Sequence, residues 1–149
     1  MVDRALIKKI GIKIGLLIFV TLIILFLIME YFYLVYDIGF LLYYFLIVFF
    51  WIFLAFYKYK QIKKGIDFLS GIALGSFSTI IGVFSFVLFF YFYCSAINHE
   101  FLHDLHLRVP EPVTNIATSI VPVVIMIIGI FAGGIFSFVL ALFEKNDKI

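Results

Sequence analysis

The stretch FLSGIALGSFSTIIGVFSFVLFFYFYCSAIN, residues 68–98, decides the fold. It contains no charged side chain and exceeds the roughly 20 apolar residues that cross a bilayer core. In hydrocarbon the backbone polar groups must be satisfied within the segment, so an uncharged run of this length is read as a helix. Small residues recur along it at Gly71, Gly75, Ser78, Gly82 and Ser85. Steps of four, three, four and three keep them on one helical face for four turns.

Working outward, the whole chain has the same character. Its 149 residues are 66% hydrophobic and 13% charged, with 21 Phe and 9 Tyr. A soluble domain is about 45 to 50% apolar and about 25% charged. The gap excludes a water-soluble monomer and a disordered chain, because too little polar surface exists to cover a sphere. A net charge of +2 excludes a nucleic-acid binder, since no basic excess is present to neutralise phosphates. Cys94 is the only cysteine, which rules out an internal disulfide.

Three further uncharged runs frame the first. Between Lys13 and Glu30 no charge occurs, which predicts a span over 11–34. This run is longer than a signal-peptide core and lacks a small-residue cleavage site, so it is expected to stay in the membrane. Asp37-Ile38-Gly39 breaks it, and a second span is predicted over 39–57. Lys58, Lys60, Lys63 and Lys64 form a basic connector to the third span, 67–96. After the polar segment from His99 to Glu111, Pro112 opens a fourth, 113–143. The expectation is an all-α membrane protein: one four-helix transmembrane domain over 1–149, with connections too short to hold a second.

Cytoplasmic flanks carry the excess of Lys and Arg. Arg4, Lys8, Lys9 and Lys13, the connector lysines, and Lys145 and Lys148 fall on one side, and only Arg108 on the other. Both termini are therefore predicted to be cytoplasmic. Tyr31, Tyr33, Tyr36, Tyr43, Tyr44, Tyr91 and Tyr93 fall at predicted outer ends, and Tyr57 and Tyr59 at an inner end. Tyrosine favours the headgroup boundary, which agrees with the placement.

Helix four has its own small-residue line at Gly129, Gly133, Ser137 and Ala141. Burial of apolar area gives no drive for association in lipid, so close backbone approach over small side chains supplies the contact. Helices three and four are expected to pack face to face, or one line to dock a partner. Helices one and two, bulky on nearly every face, read as lipid-facing insulation. Pro122 removes an amide bond to Thr118 and bends helix four, and the Thr118 hydroxyl is placed to resatisfy the freed backbone. Ionisable residues deep in a membrane flag transport pathways. Glu30 is the sole candidate and lies near the outer interface, which argues against a proton relay.

One constellation could carry chemistry. His99-Glu100-x-x-His103 puts two imidazoles one helical turn apart for Zn²⁺, with Glu100 as base toward a bound water. Third ligands are poorly placed: Glu111 lies close by in a Pro-flanked loop, and Glu144 across the membrane. His106 sits roughly 10 Å along the axis from His99, too far for one ion. The favoured expectation is a short interfacial helix in the second external loop. Ile97, Phe101, Leu102 and Leu105 would lie on the leaflet and the histidines in water. Those histidines would charge near pH 6 to 6.5. No metal, cofactor or catalytic residue is assigned.

Two bulky N-terminal spans, the connector running into Ile66-Asp67-Phe68-Leu69-Ser70-Gly71-Ile72-Ala73-Leu74-Gly75, the segment Ile97-Asn98-His99-Glu100-Phe101-Leu102, and Gly133-Gly134 before a charged tail form one pattern. It resembles the "domain of unknown function 4199" family of four-helix bacterial inner-membrane proteins. That resemblance implies a multi-pass protein of a Gram-negative inner membrane, often encoded beside enzymes such as glycosyltransferases, with no established activity. In that family the matching loop usually reads Asn-Pro-aromatic with acidic residues, so the histidines here are a departure that counts against catalysis.

The expected function is a non-enzymatic accessory or assembly subunit, held in membrane lipids and docking another integral membrane protein, or a second copy of itself, through its helices. The rivals are a small transporter or lipid-handling homo-oligomer, and a zinc-dependent hydrolase using His99, Glu100 and His103.

Overall fold

A computed structural model describes residues 3–32, 39–97 and 117–146, with the side chains of 39–41, 117–121 and 144–146 left aside. It contains four long helices and, among the described residues, no strand. They are α1 (Arg4–Tyr31), α2 (Gly39–Lys63), α3 (Phe68–Phe92) and α4 (Ala117–Asn146). All four are long and apolar enough to cross a membrane.

Local signals set the ends. The Asp3 carboxylate accepts the Leu6 N–H at 3.1 Å, capping the first turn of α1, whose leading amides have no intrahelical partner. The Phe32 N–H reaches back to the Ile28 carbonyl at 3.2 Å and closes its last turn. Lys64, with φ 55°, takes the left-handed conformation that terminates α2. Asp67 stands at the N-cap of α3, accepting the Ser70 hydroxyl at 2.9 Å while its carbonyl takes the Gly71 amide at 2.9 Å. α3 runs into one π-helical turn, Tyr93–Ile97.

α3 is the centre of the bundle. It packs along α1 on one side and α4 on the other, while α2 lies across both seams and joins α1 to α4. Residue numbers rise together where α1 meets α3, with Gly11 beside Phe77 and Gly15 beside Ile81, so these helices are parallel. They run oppositely where α3 meets α4, with Gly71 beside Ala141 and Gly133 beside Thr79.

α1 departs from the lipid-facing role expected of it. Ile7, Ile10, Gly11, Ile14, Gly15, Ile18, Leu22, Phe26 and Met29 form a buried stripe at helical spacing. Gly11 and Gly15 are the reason: a methyl at Gly15 would lie 2.9 Å from the Ser78 carbonyl, so the two backbones nearly touch. Toward the other end, Phe26 meets Phe86, Phe89, Phe90 and Tyr93 edge-on, with centroids between 5.3 Å and 6.4 Å. Such edge-to-face pairs gain beyond simple area burial.

The tyrosines also divide. Tyr31, Tyr43, Tyr57 and Tyr91 are exposed, whereas Tyr44 and Tyr59, each 2% exposed, point into the bundle. Trp51 is half-buried and donates its indole N–H to the Thr21 hydroxyl at 3.0 Å, tying α2 to α1. An indole N–H with no partner in hydrocarbon would be costly, and Thr21 supplies the acceptor.

Candidate functional site

Helix contact is what the small residues of this chain are arranged for. Along the α3–α4 seam four rungs oppose each other: Gly71 with Ala141, Gly75 with Ser137, Thr79 with Gly133, and Val83 with Gly129. Each rung is tight. A Cβ added to Gly75 would lie 2.7 Å from the Ser137 Cβ, one added to Gly133 2.6 Å from the Thr79 Cβ, and one added to Gly71 3.2 Å from the Ala141 Cβ. All four glycines of the seam, Gly71, Gly75, Gly129 and Gly133, have a neighbouring atom under 3.0 Å from where a Cβ would stand, so none admits a larger residue without movement.

The five-residue line read on α3 splits between two neighbours. Gly71 and Gly75 face α4, whereas Ser78 and Gly82 face α1. A Cβ on Gly82 would stand 2.7 Å from the Ile18 Cβ and 2.9 Å from the Gly15 carbonyl. Ser85 is half-buried. Toward each neighbour the spacing is four, Gly71, Gly75, Thr79 and Val83 meeting α4 and Ser78 and Gly82 meeting α1, and the steps of three pass from one ridge to the other.

The hydroxyls in these seams make no bond across them. Ser78 donates to the Leu74 carbonyl at 2.8 Å, Thr79 to the Gly75 carbonyl at 2.9 Å, and Ser137 to the Gly133 carbonyl at 2.6 Å. Each donor is used on its own helix one turn back. The Tyr44 hydroxyl, wedged at Gly129, is buried with no hydrogen-bond partner among the described residues. At the other end of α1, Tyr93 donates to the Glu30 carboxylate, so the one acidic residue between Asp3 and Asp37 bonds to the π turn of α3.

Both lines are thus packed inside the chain, and neither is open to another molecule. α4 turns one residue per helical turn inward at Gly129, Gly133, Ser137 and Ala141, and most of the rest outward. On that outward side Gly134 has nothing within 4 Å of where a Cβ would stand. It floors a notch of about 330 Å³ between Phe131 and Phe138, with Ile130 and Ile135 beside it. Phe131 is 69% exposed. A glycine between two projecting aromatics is a shape into which a second helix can set its own ridge.

Pro122 is buried within α4, which continues through it from Ala117 to Asn146. The Thr118 side chain lies outside the described residues, as do His99, Glu100, His103, His106 and Glu111, and with them the loop helix and the zinc pattern. Among the described residues no group of three or more potential metal ligands occurs.

Comparison with protein-family models, with curated proteins and with solved structures returns no match to this chain. Its fold is that of a multi-pass helical membrane protein.

Sequence reading missed three contributors. Gly11 and Gly15 are spaced four apart but flank Lys13, at the charged end of the first run. Thr79 and Val83 complete the α3 ladder, although neither is a small residue of the usual kind. Gly134 stood next to Gly133 with no spacing signal to say which of the pair faced out.

Proposed function

We propose that this protein is a non-enzymatic membrane accessory subunit that docks one transmembrane helix of a partner protein against the outer face of α4. Gly134 carries the proposal. Glycine inside a membrane helix lowers its stability relative to alanine unless close approach requires it. Among the described residues nothing lies within 4 Å of where a Gly134 Cβ would stand.

The same reading places both termini in the cytoplasm, supported by the basic residues gathered at one end of the bundle. The second external loop is read as an interfacial helix, and the membrane as a bacterial inner membrane, which rests on the family resemblance. The partner class that resemblance favours is a membrane-associated enzyme such as a glycosyltransferase.

Photo-crosslinking side chains at Phe131 and Phe138, compared with the same probes at exposed Leu16 and Phe84 on α1 and α3, test it in intact membranes. A single integral membrane protein captured at the α4 sites, and lost on Gly134→Leu, is the expected result. Capture of a second copy of this chain alone would replace it with the homo-oligomer reading. Equal capture at all four sites would remove α4 as the docking face.

A further inference from the structure

The described cations at one end of the bundle are not spread evenly. Between α1 and α2 opens a groove of about 150 Å³ with buried Ile10 and Ile14 along its floor, exposed Ile62 at its edge and Lys9, Lys13 and Lys58 around its rim. All three lysines are exposed. Nearby, α1 and α2 are joined by opposite charges, Lys63 to Asp3 at 2.7 Å. In the groove they present like charges to each other, and none of the three has an acidic partner among the described residues.

Like charges facing across a gap oppose the packing of the helices that carry them. Had the groove only to hold α1 to α2, an acid in place of one lysine would serve, as Asp3 does beside Lys63. The opposition is relieved by an anion seated between them. Both helices cross the membrane, and the groove lies near the charged end of each. Lysine stems can lie along the isoleucine floor while their ammonium groups reach the headgroup layer. Ammonium groups are effective point-charge partners for phosphate.

We propose that this groove binds the phosphate headgroup of an anionic phospholipid, with an acyl chain along Ile10, Ile14 and Ile62. Basic pockets between transmembrane helices hold such headgroups. A second groove on the far side of α1, lined by Arg4, Lys8, Ile7, Ala73 and Phe77, brings together two cations rather than three and supplies the control. The site is independent of what α4 docks.

The test uses the full chain in nanodiscs of phosphatidylglycerol and phosphatidylcholine in equal parts, released for native mass spectrometry to count retained lipid. The wild type retains phosphatidylglycerol. Lys9→Gln, Lys13→Gln and Lys58→Gln each lower that preference about fivefold and together about a hundredfold. Arg4→Gln, Lys8→Gln and Lys64→Gln combined remove the same charge and leave it intact. Melting temperatures matching the wild type show that the variants fold. The proposal is overturned if the groove variants keep the preference, or if the charge-matched set loses it equally. Displacement of bound phosphatidylglycerol by free glycerol phosphate would also overturn it, since the apolar floor would then contribute nothing.

Discussion

Gly75 of α3 lies against Ser137 of α4 with no room between them for a methyl group. The clash set up by Gly75→Ala, or by Gly133→Ala against Thr79, is an overpacking cost of about 1–3 kcal/mol. Replacing a helical glycine by alanine returns at most about 1 kcal/mol. Both variants are therefore expected to lower stability in detergent, whereas Gly134→Ala, which meets nothing, leaves it unchanged or raises it. Unfolding titrations of the three variants decide the matter, and a destabilised Gly134→Ala would contradict the open notch.

The bond from Trp51 to Thr21 predicts a measurable coupling between α2 and α1. Interhelical hydrogen bonds in membrane proteins average about 0.6 kcal/mol by double-mutant cycle. Trp51→Phe and Thr21→Val should each destabilise, and the double variant by less than their sum. Strict additivity would show that the bond contributes nothing.

Acidification acts at the Asp3 cap. Its hydrogen bond to Lys63 and the Leu6 amide hold the Asp3 carboxyl below the usual carboxylate range. A group whose pKa is lower folded than unfolded stabilises in full above the unfolded value, about 3.9, and the contribution is lost as pH falls through the folded one. Melting curves of the wild type and Asp3→Asn should differ by a constant amount from pH 5 to 8 and converge below about pH 4. Because both side chains are partly exposed, added salt should narrow the gap.

Glu100→Gln separates a subunit from a hydrolase. A zinc enzyme would hold stoichiometric metal and lose peptide hydrolysis on that change, because the carboxylate would be its base. The expectation here is substoichiometric zinc and no Glu100-dependent activity, measured by metal analysis and peptide assay of purified protein.

Four long apolar helices were legible because a membrane penalises charge so heavily that long uncharged runs stand out, although α1 starts at Arg4, ahead of Lys13, and α2 runs past Lys58 to Lys63. The contact between α3 and α4 was legible too, since Gly129, Gly133, Ser137 and Ala141 repeat at the spacing of a helical ridge. What spacing could not reveal was which neighbour each small residue served. Ser78 and Gly75 look alike in sequence, yet one faces α1 and the other α4. The inward turn of Tyr44 and Tyr59 was hidden for a related reason. A preference for the headgroup boundary is an average over tyrosines, and depth along a helix says nothing about rotation around it. The proposed docking face follows from the same cause: with Gly133 turned toward Thr79, its neighbour Gly134 is turned away.

The rungs between α3 and α4 repeat every four residues on both helices and share no hydrogen bond across the seam. Sliding one helix by about 6 Å, one repeat, would set Gly71 against Ser137, Gly75 against Gly133 and Thr79 against Gly129, all small enough to fit. The ladder is thus a ruler with identical marks, able to fix distance between the helices but not their offset. The offset is set by parts that do not repeat: Phe56 lodged at Gly71 and Tyr44 lodged at Gly129, one near each end of α2. α2, which touches α3 far less than α1 or α4 does, is the helix that tells the pair where to stop.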